Sequence, residues 1–240
     1  MNASTGSISL LSALKNHPYL NLSDGVGDSL TFGENRSISV QQEQKVLPLV
    51  GGLPELMDNN PLVCAQHAWV PSSAGTLALI ALGPIIEAGL VIEDPAIILN
   101  FDASEEEILQ ALTTVHWNEG VTLQCENHDL GSVLGIYALV KINTPDSLDE
   151  IDEIYAERYS KSFFVREFTE SEWSANLVQR QPFAAYRLEI TEGHPHSILS
   201  IHVIGDIEGK LGAAQMIHMM NIMCGFEESI GISENKNSDT

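Results

Sequence analysis

The sequence predicts an α/β (α+β) fold with a mixed β-sheet, and three features carry that prediction. Apolar strands alternate with helical segments along the 240 residues. The run 96–101 is continuously apolar, as expected of a strand covered on both faces. The segment 205–232 begins with small residues and continues into an apolar helix that carries four methionines. Gly225 is the expected end of this helix, since glycine readily adopts the left-handed conformation that closes a helix.

The elements expected before residue 71 are short. Residues 8–16 fit a short helix and residues 19–22 a strand. The stretch 23–44 is polar and rich in turn residues, with room for one hairpin. Residues 72–88 begin with small side chains and continue with apolar ones, which favours a buried helix.

Stronger patterns follow residue 100. Ser104 and Glu107 have the spacing of a capping box, which predicts a helix from there to about residue 114. An acidic amphipathic helix is expected at 148–159. The expected strands of the sheet are 133–142, 163–168, 183–190 and 197–204, with Gly193 and Pro195 in the last turn.

The charge excludes two classes of partner. The chain has 33 acidic and 11 basic residues, a net charge of -22, so nucleic acid and anionic membranes are not expected to bind. No apolar run is long enough to span a bilayer, and no signal peptide is evident, so we expect a cytoplasmic protein. Between Lys45 and Lys141 there is no basic residue and there are twelve acidic ones, which leaves backbone N–H groups as local anion ligands.

Cysteine and histidine spacing predicts no metal site. Cys64, Cys125 and Cys224 are scattered, and we expect buried thiols in a reducing compartment. His194, His196 and His202 are close in sequence, but no carboxylate or cysteine lies at ligand spacing beside them. They are expected to be turn and strand residues.

Several segments resemble one enzyme family in order along the chain. Residues 205–226, GDIEGKLGAAQMIHMMNIMCGF, resemble the family segment D-N-L-L-K-G-A-A-x-Q-A-x-Q-x-x-N-x-x-F-G. Residues 51–56, GGLPEL, resemble Y-G-L-P-E-L, and weaker matches cover 9–22, 79–90 and 155–190. The family is N-acetyl-γ-glutamyl-phosphate reductase, of the semialdehyde dehydrogenase superfamily. The resemblance implies a role in arginine biosynthesis and NADPH-dependent reduction of an acyl phosphate.

The resemblance also implies a division of the chain. Residues 1–70 would be a truncated, Rossmann-like remnant of the nucleotide-binding domain, and 71–205 the substrate and dimerisation domain. Residues 206–232 would form a helix that packs back on the N-terminal part. Residues 233–240 are expected to be disordered.

The family's nucleotide site is incomplete in this alignment. Its glycine positions fall on Met1, Ser4 and Ser7, with Gly6 one place out of register, and the strand before them is expected to be absent. About thirty polar residues replace on the order of eighty, too few for a full Rossmann sheet. The positions matched to cofactor binding are Ser4, Gly6, Lys210 and Gly212.

The catalytic residues do not carry over either. The family's cysteine falls on Trp69 or on Ser73, depending on the anchor, and its histidine falls near Phe101 or Asp102. Cys64 lies several residues too early, and Ser73 is expected to be a helix N-cap. The histidines closest in sequence to the missing one, His116 and His128, are expected to be surface or interface residues.

The sequence therefore predicts a degenerate, non-catalytic relative of the reductase with no cofactor. It would act by association, as a homo-oligomer or with a related reductase, or by binding a small-molecule ligand. The alternative is an active enzyme that binds NADP and uses Ser73 or Cys64 in a rearranged site.

Overall fold

The computed structural model describes residues 1–40, 50–145, 147, 149–169 and 173–232. The expected disorder at 233–240 lies outside this part. Two mixed six-stranded sheets form the fold, which confirms the predicted α/β class. Sheet A contains β1 (Asn2–Thr5), β2 (Asn21–Asp24), β3 (Leu30–Phe32), β4 (Arg36–Val40), β5 (Val50–Gly51) and β6 (His67–Val70). Sheet B contains β7 (Ala96–Leu99), β8 (Thr122–Cys125), β9 (Val133–Asn143), β10 (Val165–Glu167), β11 (Ala184–Thr191) and β12 (His196–Asp206).

Six α-helices accompany the sheets in the described part of the chain. They are α1 (Ile8–Leu14), α2 (Asn59–Cys64), α3 (Ser73–Glu87), α4 (Glu105–Leu112), α5 (Asp149–Tyr159) and α6 (Ala213–Cys224). The capping box of Ser104 and Glu107 is present at the start of α4, and Gly225 ends α6 in the left-handed conformation, both as expected. In the part of the chain described, no helix is both long and apolar enough to cross a membrane.

Sheet A corrects the expectation that the first strand is absent. Its order is β2-β1-β3-β4-β6-β5, and β1 pairs in parallel with β2 around α1. Residues 1–7, aligned above with a glycine-rich turn, therefore supply a strand and then the turn. The β3–β4 hairpin adds the next two strands, so the sheet reaches six strands without the family's longer parallel series.

One face of sheet A carries polar side chains in register across five strands. Ser23, Ser4, Thr31, Ser37 and His67 are neighbours in consecutive pairs, and each is exposed or half-buried. Oγ of Ser4 lies 2.6 Å from Oγ1 of Thr31, and Oγ of Ser37 lies 2.9 Å from Nδ1 of His67. The opposite face is apolar and packs on helices, as alternation along a strand requires.

In sheet B the order is β10-β11-β12-β9-β7-β8, with α3 packed against β9 and β12. Pro84 lies inside α3 and has no N–H to donate to the carbonyl of Ile80. The hydroxyl of Tyr159 donates to that carbonyl at 3.2 Å. A tyrosine from α5 thus satisfies the group that proline leaves without its helical partner.

Helix α6 packs on sheet A, although it is separated from it by all of sheet B in sequence. Every residue from Ala213 to Met223 is buried. Its methionines share a hydrophobic core with Leu10 of α1, Leu30 of β3 and Ile38 of β4. Residues from the two ends of the chain therefore form one core.

The side chain of Arg36 links the C-terminal ends of helices α2 and α6. Its guanidinium donates to the carbonyl of Met223 in the last turn of α6. It also donates to the carbonyls of Val63 at 2.7 Å and Ala65 at 2.8 Å, at the end of α2. A cation at two helix C-termini satisfies carbonyls that lack helical partners and complements both helix dipoles.

We expect Arg36→Met to lower the free energy of unfolding by about 2–3 kcal/mol, because several carbonyls lose a charged donor. Urea denaturation of the full chain measures this change. Lys15→Met removes an exposed cation elsewhere and should stay within about 0.5 kcal/mol of the parent. Equal stability of all three proteins would contradict this role for Arg36.

Candidate ligand cleft

A cleft of about 400 Å³ lies between the two sheets. Val40 and Val70, the last residues of β4 and β6, line one side of it. Ser73 at the start of α3 and Gly212 at the start of α6 line another. The carboxyl ends of parallel strands and the amino ends of helices meet here, which is the usual position of a ligand in open α/β sheets.

The start of α3 fixes its own polar groups. Ser72, not Ser73, is the N-cap, and its hydroxyl accepts from the N–H of Gly75 at 3.2 Å. The Ser73 hydroxyl donates to the carbonyl of Leu211 at 3.2 Å. Because the Ser73 hydroxyl donates to a backbone carbonyl rather than to Asp102 or Glu107, which also line the cleft, it serves as a hydrogen-bonding group.

A second pair links α3 to α6 at the cleft. Thr76 and Gln215 are both buried, and the Gln215 amide nitrogen donates to the Thr76 hydroxyl oxygen at 3.1 Å. In another hydrogen-bond orientation the Thr76 hydroxyl donates to Oε1 of Gln215, at 3.2 Å. This contact fixes the two helix ends relative to each other and so fixes the width of the cleft.

The charged side chains at the cleft are carboxylates. Oδ1 of Asp102 accepts from the side-chain amide of Asn127 at 3.2 Å. The Glu107 carboxylate accepts from the N–H of Ser104 at 3.0 Å, as part of the capping box of α4. No lysine, arginine, histidine or cysteine lines the cleft within the described ranges. The position matched to the family's histidine is occupied by Phe101 and Asp102, which both line the cleft. These groups can hold a ligand, but they include neither a thiolate nor an imidazole.

The remaining nucleophile candidates lie outside the cleft lining. Trp69 is in β6 and buried, and its ring lies so close to the backbone of Gly51 that no side chain fits there. Cys64 ends α2 and is exposed, so the expectation of a buried thiol is wrong for this residue. Cys125 is also exposed and Cys224 is partly buried. The expectation rested on the apolar residues next to Cys64 in the sequence, but its side chain lies on the solvent side of α2.

The turn expected to cradle a dinucleotide is filled by the chain itself. The N–H of Gly6, after β1, donates to the carbonyl of Gly27 at 2.8 Å. The N–H of Gly25 donates to the carbonyl of Thr5 at 2.9 Å. A Cβ on Gly6 would lie only 2.7 Å from the Gly27 oxygen, so the two segments are in close contact. The N–H of Gly6 is thus bonded within the chain and is not free to bind a pyrophosphate.

Two of the four residues predicted to bind the cofactor, Ser4 and Lys210, are bonded to other side chains of the protein. Ser4 is in the middle of β1, on the polar face, bonded to Thr31. Lys210 is fully buried, and its ammonium donates to Oε1 of Glu55 at 2.6 Å. Gly212 is the one of the four that lines the cleft. The contact of its backbone with Ile207 leaves no room for a side chain.

Lys210 belongs to an ionic cluster of four residues: Glu55, Lys210, His218 and Glu228. The first three side chains are buried, and that of Glu228 is 52% exposed. Nε2 of His218 lies 3.0 Å from Oε2 of Glu228, and Nδ1 lies 3.8 Å from Oε1 of Glu55. The imidazole stacks on the ring of Phe164, at 4.0 Å between centroids. Sequence reasoning missed this cluster, although two of its members lie in the motifs GGLPEL and DIEGKL.

Burial and charge set the pKa values in this cluster. Burial pushes the pKa of Glu55 upward, but Lys210 and His218 more than offset it, so that pKa lies below its usual value. Burial lowers the pKa of His218 below 6.5, against the opposing effect of Glu228 and Glu55. His218 is therefore neutral near pH 7, and Nε2–H donates to Glu228.

Of the other histidines, His17 is buried beside Asn221 of α6, and the rest lie at the surface or on sheet B. His116 and His128 are exposed, as expected. His202 lies on β12 beside Tyr137, with 4.3 Å between ring centroids. The described residues contain no group of three or more His, Cys, Asp or Glu side chains placed to hold a metal ion.

Comparisons with known proteins locate the fold. No protein-family model matches the sequence, and no curated protein matches it. Solved structures do match. Aspartate semialdehyde dehydrogenase II of Vibrio cholerae, in a complex with ASA, has 11% identity and a TM-score of 0.58. The match covers 74% of this chain and 68% of that one. The chain has the semialdehyde dehydrogenase fold.

A second match supports the same fold. Aspartate semialdehyde dehydrogenase from Francisella tularensis has 9% identity and a TM-score of 0.57, over 73% of this chain and 71% of that one. Identities this low establish a shared architecture and leave activity to be argued from the residues. The expected superfamily fold is confirmed.

We expect His218 to make stability depend on pH. Because its pKa is lowered on folding, the unfolded chain binds more protons in the window below 6.5. The contribution of His218 to the free energy of unfolding is fully present above pH 6.5, and it is lost as the pH falls through the folded-state pKa of His218. In urea titrations between about pH 7 and pH 5, His218→Gln should flatten this dependence. His128→Gln removes an exposed imidazole and should leave the slope unchanged, so equal slopes for all three proteins would refute the assignment.

Proposed function

We propose that this chain is a non-catalytic protein that binds a small molecule in the cleft between its two sheets. It is a degenerate relative of the semialdehyde dehydrogenases, and of N-acetyl-γ-glutamyl-phosphate reductase in particular. The observation that carries the proposal is the cleft itself. A cavity of about 400 Å³ occurs at the ligand position of the fold, yet its described lining lacks thiol and imidazole groups.

The filled nucleotide turn supports the loss of redox chemistry. Hydride transfer requires a dinucleotide close to the cleft, and Gly27 takes the N–H of Gly6 that a pyrophosphate would need. Restoring a cysteine alone would not restore the reaction. Binding without turnover is what remains for the cleft to do.

Charge narrows the ligand class. Asp102 and Glu107 face the cleft, and no described lining residue is basic. Desolvating an acyl phosphate beside two carboxylates is unfavourable without a cation. The cleft therefore suits a neutral or cationic molecule that donates to the Ser73 hydroxyl oxygen or accepts from the backbone at the start of α3.

The outer face of sheet B supports self-association as part of the same proposal. Tyr137 and Leu139 of β9 and Ile98 of β7 are half-buried on this face, and Ile198 of β12 is 39% exposed. Lys141 pairs in register with Ile198, and Glu189 pairs with Ser200. A face with both charges and an apolar centre is complementary to a second copy across a two-fold axis.

We expect no catalysis from the purified chain. With NADP and N-acetylglutamate semialdehyde or aspartate semialdehyde, each with phosphate, the NADPH absorbance should stay flat. NADPH should also leave the melting temperature unchanged, because a ligand that does not bind the native state cannot stabilise it. An absorbance change that is lost in Ser73→Ala or Cys64→Ser would establish the alternative, an active rearranged enzyme.

We expect a dimer in light scattering at micromolar concentration. Ile198→Lys should give a monomer, because a charge at the centre of an apolar contact is desolvated without a partner. Val26→Lys makes the same change at a site 97% exposed and should leave the dimer intact. A monomeric parent protein that also fails to bind an intact reductase would overturn the association part of the proposal.

A further inference from the structure

A second cavity, of about 490 Å³, lies over the ionic cluster, away from the cleft. Glu55, His218 and Glu228 line it, together with Lys161 and Arg158 near the end of α5. The two cavities share no lining residue among those described. We propose that this cavity binds a free amino acid, or another small zwitterion with an ammonium and a carboxylate.

The cluster lacks one positive charge. Glu55 and Glu228 are carboxylates, Lys210 is an ammonium, and neutral His218 adds no charge, which leaves a net charge of -1. The Glu55 and Lys210 side chains are buried as a pair, and the excess negative charge is on Glu228, which is 52% exposed at the cavity wall. A carboxylate at the wall of a polar cavity attracts a cation. An ammonium at the cavity wall would balance it.

The cluster also has unused hydrogen-bonding capacity. Oε2 of Glu55 and Nδ1 of His218 are buried and have no partner in the described part of the protein. Glu55 is 4% exposed and His218 2% exposed, so bulk water does not satisfy these atoms. Buried polar atoms are nearly always paired, and two unpaired atoms on adjacent cavity-lining side chains mark a place for donors from an occupant.

The other side of the cavity offers the complementary charge. Arg158 is paired with Glu87 at 3.0 Å. Lys161 is exposed and forms no ion pair with any described residue. Its ammonium is therefore available to a carboxylate. Asp58 adds a further carboxylate to the lining, which also favours an ammonium, and Asn59, Asn60 and Ser162 add neutral hydrogen-bonding groups that suit either end of a zwitterion.

Thermal denaturation of the full chain tests the proposal, with each proteinogenic amino acid added at about 10 mM in phosphate-free buffer. At least one should raise the melting temperature by about 3 °C or more. Its N-acetyl derivative and its decarboxylated amine, which each lack one charge, should have no such effect. Absence of a shift with every amino acid, or an equal shift with either derivative, would overturn the proposal.

Two variants locate the binding. Lys161→Met should weaken the identified amino acid at least tenfold in calorimetric titration, and His218→Gln should weaken it as well. Lys15→Met, which removes an exposed lysine at the C-cap of α1, should bind like the parent. Parent-like affinity in Lys161→Met with loss of binding in Ser73→Ala would move the ligand to the cleft. That result would reject this second site and leave the proposed function standing.

Discussion

The structure depends on the burial of one helix on all sides. Helix α6 shares a hydrophobic core with sheet A on one side, and on the other its Gln215 bonds to Thr76 of α3, the helix that packs on sheet B. Its interior polar residues are paired rather than exposed. Asn221 lies 3.1 Å from His17 of the N-terminal part and donates to the carbonyls of Glu228 and Ile230. Such pairing is what allows a helix with polar side chains to be buried at modest cost.

The two cavities lie along this same helix, three residues apart. Gln215 contacts the cleft, and His218 lines the cavity over the ionic cluster. The chain has the fold of the semialdehyde dehydrogenases, and the polar side chains that line its cleft in the described part of the protein carry hydroxyls, carboxylates and an amide. Function here follows the side chains, because architecture alone is compatible with several activities.

Periodic and strongly apolar segments were predictable from the sequence, and short ones were not. The strands β9 and β12 and the helices α3 and α6 agree with their patterns because their apolar runs are long. Strand β1 was missed because its residues, NAST, are polar and small and aligned with a glycine motif. These residues form a strand because they pair with β2 and β3, and such pairing between distant segments leaves no local pattern in the sequence.

Among the site residues, too, local patterns were predictable from the sequence and long-range contacts were not. Helix capping by Ser104 follows from four consecutive residues and was predictable, whereas the pairing of Glu55 with Lys210 joins positions 155 residues apart. The packing that excludes water from both groups exists only in the folded chain. The filled turn at Gly6 was equally hidden, because a polar loop carries no sign of the backbone group it will contact.

The contact of Arg36 with Met223 has a consequence for biosynthesis. Strands β3 and β4 leave the ribosome before sheet B, but the helix that covers their apolar side chains emerges after it. Sheet B is built from one continuous stretch of chain and has its own core, so it can fold before α6 is synthesised. Until α6 packs on sheet A, Leu30 and Ile38 face solvent, and the high negative charge of the nascent polypeptide opposes its aggregation.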